Sequence, residues 1–458
     1  MSDADPQTLE ILRLGHRGDG IAEGPVFVNG GLPGEVVEGV ITDGRLAAPR
    51  ILRPSELRVS PVCRHYKGCG GCLVQHARED FVSDWKREIV RQALEAQGLT
   101  APIRGIHTSP PRSRRRATFS GRRTKKGALV GFHGRASDTL VDVPECQLVH
   151  PEILATRPAL DRLTRAGASR KGEISLTVTL TEDGPDIHVS GGKPLDAALR
   201  MEMAGLVESE GLARLTWEDE VIAQRIPPRV RFDGIAVVPP PGAFLQATAE
   251  GEGALRRSVL EAVGDGGHVL DLFAGCGTFA LPLARRAEVH AVEGLEDLTA
   301  ALEAGWRQAQ GLKAVTVETR DLFRRPLLPD ELKRFEAVVI DPPRAGAEAQ
   351  TEEIARSDVR RVAAVSCNPA TFARDAARLV QAGFTLDWVD VVDQFRWSPH
   401  VELAACLTRG NIPVRARPKG RSCNKLSEPG LSDRARETSS SASSSSTLSC
   451  WALRPIRR

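Results

Sequence analysis

The chain has 458 residues, 41% of them hydrophobic and 26% charged, and a formal net charge of +3. That length exceeds one ordinary core, so roughly two to four domains are expected. No apolar run reaches the ~18 residues of a membrane helix, and the acidic start is no secretory signal, which excludes those two classes.

Nine cysteines, an odd count spread over a long chain, suit a reducing compartment where thiols serve as ligands or nucleophiles. The expectation is a soluble, cytoplasmic monomer. In chain order, residues 1–60 are rich in Gly and Val, with alternating apolar positions over residues 21–28 and a turn at Leu32-Pro33-Gly34. Short strands with Gly and Pro punctuation predict a small β-barrel, and a generic β-module fits the same pattern.

Residues 61–240 form a mixed α+β region. Cys63, Cys69, Cys72 and the distant Cys146 read as one ligand set, because Gly68, Gly70 and Gly71 leave the chain room to wrap a centre. Four thiolates suit tetrahedral zinc or an iron–sulfur cluster, and spacing does not choose between them. An amphipathic helix follows over residues 80–97. Arg112, Arg114, Arg115, Arg116, Arg122, Arg123, Lys125 and Lys126 then crowd around Phe119. They predict a phosphate-binding patch, with a solvated basic face as the alternative.

From about residue 255 to 408, apolar strands alternate with helical stretches, the pattern of a doubly wound α/β domain. The first strand enters the turn Gly275-Cys276-Gly277-Thr278-Phe279-Ala280, and Glu293 closes the next strand, where a carboxylate can bind a ribose diol. This turn fits the dinucleotide fingerprint of a nicotinamide enzyme as well as a methyltransferase loop. Asp271 leans toward the latter, since a methyl donor carries an ammonium group. Residues 410–458 are rich in Arg, Pro and then Ser, a composition that cannot bury a core and reads as disordered.

Two later strands end in Asp341-Pro342-Pro343-Arg344 and Ser366-Cys367-Asn368-Pro369, and His400-Val401 leads to Glu402. Ligands of an open parallel sheet bind at the carboxyl ends of its strands, so Asp341 and Cys367 should line one crevice. A buried structural thiol is the plainer reading of Cys367. Its place past a strand end favours a nucleophile.

With these motifs in hand, residues 8–409 resemble the TRAM-domain family of RNA uridine-C5 methyltransferases. Residues 30–40 are similar to its N-terminal TRAM barrel and Phe244-Leu245-Gln246 to its F-x-Q motif. Residues 271–279 are similar to its glycine-rich loop, and Asp341–Arg344, Ser366–Pro369 and His400-Val401-Glu402 to its D-P-P-R, S-C-N-P and H-V-E. The resemblance implies a multidomain α/β protein: a TRAM-like barrel over 1–60, a central RNA-binding domain over 61–240, and a Rossmann-like methyltransferase domain over 241–409. It implies S-adenosylmethionine held by Gln246, Phe273, Glu293, Asp321 and Asp341, with Cys367 as nucleophile and Glu402 as base. It also implies a [4Fe-4S] cluster on Cys63, Cys69, Cys72 and Cys146, as in the iron–sulfur subset of the family. The partner would be RNA, ribosomal ahead of transfer RNA, presenting a single-stranded or loop uridine. Thr248 departs from the pattern, which has Asn two residues after the motif Gln. The rival readings are a tRNA enzyme, a non-catalytic RNA-binding iron–sulfur protein, and a radical methylthiolating enzyme, whose C-x3-C-x2-C spacing the chain does not match.

Overall fold

The computed structural model describes residues 5–410, so the tail expected to be disordered, residues 411–458, lies outside the described residues. Three substantial sheets organise the rest. The N-terminal six-stranded sheet runs between Gln7–Leu14 and Arg50–Arg53. Its period-two pattern buries Val26 and Val28 around an exposed Phe27, and Ile11, Val28, Val37 and Leu46 make the core. Gly31 is required there: a Cβ would sit 2.2 Å from Ile11 Cδ1.

A seven-stranded sheet follows, from Leu140–Asp142 at one edge to Glu220–Gln224 at the other, with Arg116–Arg123 and Glu173–Thr181 inside it. The helices Arg157–Gly167 and Ala197–Ser209 cover it, burying Leu160, Leu163, Met203 and Leu206 in the core it shares with Trp217.

The largest sheet has eight strands in the spatial order Val315–Thr319, Glu288–Glu293, His268–Leu272, Ala337–Ile340, Arg361–Ser366, Glu402–Thr408, Thr385–Asp393 and Ile103–Thr108. Glu402–Thr408 runs antiparallel to both neighbours, and the other pairings are parallel. Alternate residues feed two separate cores. Leu270, Val338, Ile340 and Val362 face one, while Val269, Val339, Ala363 and Val365 face the other. Burial on both faces explains why these strands read as continuous apolar runs. Ile103–Thr108 lies in the stretch expected to be the central domain, so the sheet draws on chain from both regions. The helix expected near residues 80–97 spans Glu79–Glu95 and buries Val82, Trp85, Val90 and Leu94, together with one lysine, Lys86. Among the described residues no helix is long and apolar enough to cross a membrane.

Candidate active site

Strand register assembles the site. Leu272 pairs with Ile340, Ile340 with Ala364, and Ser366 with Leu403. Phe273, Asp341, Cys367 and Glu402 therefore emerge along one edge of the sheet. The antiparallel strand makes this possible, because its first residue, Glu402, lies beside the last residues of Arg361–Ser366. The backbone N–H of Asp341 donates to the Leu272 carbonyl at 3.3 Å, closing the edge.

The glycine-rich turn opens the neighbouring space. Phe273 sits at φ +61°, a strained conformation for a bulky side chain that recurs at functional sites. A Cβ on Gly275 would meet nothing within 4 Å, so the backbone there faces open space. Glu293 is held by its surroundings: Oε2 accepts from Gly275 N at 3.0 Å, and Oε1 from Gly294 N at 2.7 Å and Leu295 N at 3.1 Å. Asp321 Oδ1 accepts from Phe323 N at 3.0 Å. That turn presents the exposed ring of Phe323, with centroid 5.4 Å from that of Phe273. The sequence reading missed Phe323; an aromatic two residues after Asp321 was its signal.

Gln246 is 3% exposed. Its Nε2 lies 3.5 Å from Asp341 Oδ2, the long limit of a hydrogen bond, and its Oε1 accepts from Gln394 Nε2 at 2.6 Å. Gln394, also missed, has no motif to announce it. Thr248, the departure from the family pattern, caps the helix Ala249–Val263. Its Oγ1 accepts from Gly251 N at 3.0 Å and shares a 2.7 Å hydrogen bond with Ser109 Oγ. Asn and Thr both serve at an N-cap, so the exchange is a change of cap.

The electrostatics are those of a crowded acid cluster. Asp271 is fully buried, and neither carboxylate oxygen has a hydrogen-bond partner among the described residues. Burial, then the charges of Asp341 and Glu293, push it well above the usual carboxylate range, and the nearby Ala280 amide only eases this. Asp341 is half-buried, and burial lifts its carboxyl to about 7. Glu402 is raised well above its ordinary value by burial and then by Asp341. The Cys367 thiol is pushed up by burial and then by Glu402 and Asp341, with Arg344 opposing. Carboxyls so close in low dielectric cannot all ionise without a cation. The orphaned Asp271 oxygens, the open Gly275 and this acid excess all fit a cationic methyl donor.

The four expected cysteine ligands lie in one neighbourhood, where the thiolates of Cys63, Cys69 and Cys146 each disfavour ionisation of Cys72. Backbone N–H groups of Gly71 and Leu148 point at the Cys69 and Cys146 sulfurs at 3.4 Å, and burial pushes Cys72 up to about 12. Donor type fits a thiolate-bound centre. The geometry does not form a cage: among the described residues no group of three or more His, Cys, Asp or Glu could hold a metal ion. Cys276 and Cys406 are buried, the structural role that is the default for such thiols.

The basic stretch divides. Arg112, Arg123, Lys125 and Lys126 are exposed, whereas Arg122 pairs with Glu173. Arg114, Arg115 and Arg116 turn inward, so they are not the free phosphate contacts the composition predicted. Arg115 pairs with Glu252 and donates to the Gln246 carbonyl at 3.0 Å, Arg116 donates to the Gly242 carbonyl at 3.2 Å, and Arg114 stacks over Phe395. These three fasten the seven-stranded sheet to the edge carrying the acids.

The profile of the tRNA (Uracil-5-)-methyltransferase family matches residues 308–410. An uncharacterized RNA methyltransferase of Brucella suis biovar 1 is 43% identical over 413 residues, covering 90% of this chain and 100% of the relative. The 23S rRNA (uracil(1939)-C(5))-methyltransferase RlmD of Alkalilimnicola ehrlichii is 32% identical over 437 residues, covering 88% and 97%. The crystal structure of Pyrococcus abyssi tRNA (uracil-54, C5)-methyltransferase with S-adenosyl-L-homocysteine shares the fold. It superimposes with a TM-score of 0.66 at 22% identity, covering 87% of this chain and 99% of that one.

Proposed function

We infer the reaction from one premise: this chain belongs to the tRNA (uracil-5-)-methyltransferase family of RNA methyltransferases. It is an S-adenosylmethionine-dependent RNA methyltransferase, and the product we propose is 5-methyluridine in ribosomal RNA. Full-length similarity to a 23S rRNA enzyme supports ribosomal RNA. The observation carrying the proposal is the meeting of Asp341, Cys367 and Glu402 on adjoining strand ends.

C5 of uracil is a weak nucleophile, and the chemistry requires a thiolate to make it a strong one. Cys367, as the thiolate, forms an S–C6 bond, while the C5=C6 electrons move to an enolate at O4. Gln246, Phe273, Glu293, Asp321 and Asp341 would hold S-adenosylmethionine, whose methyl group would pass to C5 with S-adenosylhomocysteine left as the neutral thioether. Once C5 carries both methyl and hydrogen, Glu402 takes that proton. The C5=C6 bond reforms and expels Cys367 as thiolate. Arg344 favours the thiolate against the opposing carboxylates. Inside a duplex the uridine is out of reach, so the base is flipped or taken from single-stranded RNA, with Arg112, Arg123, Lys125 and Lys126 on the phosphates.

The domain plan follows the resemblance, with the N-terminal sheet as a TRAM-like RNA-binding module. Cys63, Cys69, Cys72 and Cys146 are the residues that would hold a [4Fe-4S] cluster, supported by their mutual electrostatic influence and the N–H groups aimed at two sulfurs. Methyl transfer requires no electrons, so such a cluster would serve the fold or the docking of RNA. Mapping 5-methyluridine in ribosomal and transfer RNA of a deletion strain, complemented with the parent or Cys367→Ala, tests the reading. Loss of one rRNA methyluridine, restored by the parent alone, is expected. Restoration by Cys367→Ala defeats the covalent mechanism, and loss confined to tRNA defeats the substrate.

A further inference from the structure

Helix Glu79–Glu95 carries one charged side chain among its buried residues, Lys86, which is fully enclosed. Burying an ammonium costs several kcal/mol unless it is paired and hydrogen-bonded. Lys86 has both. Its Nζ donates to Asp393 Oδ1 at 2.5 Å, to the Phe395 carbonyl at 3.1 Å and to the His400 carbonyl at 3.1 Å. An ammonium has three protons, and here each has its acceptor.

Those acceptors bracket one loop. Asp393 ends the strand Thr385–Asp393, Phe395 and His400 stand near the two ends of the connection, and Glu402 opens the next strand. The middle of the loop is held independently, since Leu73 N and Val74 N donate to the Trp397 carbonyl at 2.7 and 3.1 Å. Trp397 itself sits at φ +61°, a strained state for a bulky side chain that persists only where its surroundings impose it. The loop is thus fixed at both ends by one cation that a methionine of similar length could replace only with loss of all three bonds.

We propose that Lys86 is a positioning residue for Glu402: by spanning Asp393, Phe395 and His400 it fixes the loop that aims the Glu402 carboxylate at the C5 proton. This rests on the reading of Glu402 as the base. It predicts a specific defect, slow elimination with intact addition.

The test is a single-turnover reaction of the full chain with methyl-labelled S-adenosylmethionine and ribosomal RNA from a deletion strain, following the covalent protein–RNA adduct on denaturing gels. Lys86→Met alone leaves Asp393 buried and unpaired, so Lys86→Met/Asp393→Asn, which removes both charges, runs beside it with Glu402→Gln and a melting curve for each. The double variant should form the adduct within about twofold of the parent rate and resolve it at least tenfold more slowly. Formation and resolution falling together, or resolution at the parent rate, overturns the assignment. If Glu402→Gln traps the adduct and the double variant does not, Lys86 alone loses its role. If Glu402→Gln clears the adduct at the parent rate, the base reading fails and the Lys86 assignment falls with it.

Discussion

Replacing Thr248 by Ala separates two roles for the position where the chain departs from its family. As a helix cap, Thr248 is 1% exposed and serves Gly251 N and Ser109 Oγ together. Losing an N-cap of this kind costs about 1 kcal/mol. The Ser109 hydroxyl, buried and stripped of its partner, adds roughly 1 kcal/mol more. A total of ~2 kcal/mol lowers the melting temperature of a domain this size by about 4–8 °C. Thr248→Ser keeps the hydroxyl and loses one buried methyl, for about 1 kcal/mol. Calorimetric melting and titration of S-adenosylmethionine into both variants make the measurement. The expectation is the graded loss of stability with cofactor affinity within about threefold of the parent. An unchanged melting temperature with a tenfold loss of affinity would refute the cap and make the position a cofactor contact.

Three further outcomes are expected. Cys367→Ala should abolish methyl transfer while S-adenosylmethionine still binds, as read by calorimetry, and retained turnover ends the nucleophile reading. Glu402→Gln should accumulate a methylated adduct on Cys367, seen as an RNA-shifted band that survives denaturant. The ligand-free protein should lose stability as pH rises. Asp341 has its carboxyl near 7 when folded against an ordinary value of 3.8, so the stability it gives is fully present below about 4 and is lost as pH rises through about 7. Denaturant titrations at pH 5.5 and 8 show this, and Asp341→Asn should reduce the difference, with the raised carboxyls of Asp271 and Glu402 supplying the remainder.

The meeting of Asp341 and Cys367 at one sheet edge was legible because both sit just past the ends of parallel strands. Asp341 and Cys367 each follow an apolar run, and parallel-sheet geometry brings such ends together without knowledge of the intervening chain, whereas Glu402 reaches the same edge only because its strand runs antiparallel. What escaped depends on contacts between distant segments. Lys86 looks like any cation of an amphipathic helix until the loop at 393–401 closes on it. The inward turn of Arg114, Arg115 and Arg116 is invisible in a composition count, because a guanidinium that serves a carbonyl across an interface is spelled like one that serves a phosphate. Gln394 finds Gln246 only after the sheet has formed. Thr248 was legible as a departure from pattern but not as a cap, since its helix start emerges only with the backbone.

The acid cluster has a consequence for the order of proton transfers. On the proposed mechanism, a sulfonium bound beside Asp341 and Glu402 would favour their ionised forms and offset the burial that raises both. Methyl transfer converts that cation into a neutral thioether. Glu402 would then stand in the same low-dielectric surroundings without that charge, and its proton affinity would rise at the step where the C5 proton must leave. A base that is ionised early and strongly basic late serves both halves of the reaction. The product complex should therefore hold more protons than the substrate complex near pH 7. Binding S-adenosylmethionine should release protons, and binding S-adenosylhomocysteine should release fewer. Calorimetric titration of each ligand in two buffers of different ionisation enthalpy counts them. Equal proton release for the two ligands would mean that the sulfonium charge does not reach these carboxyls, and the timing of Glu402 would need another cause.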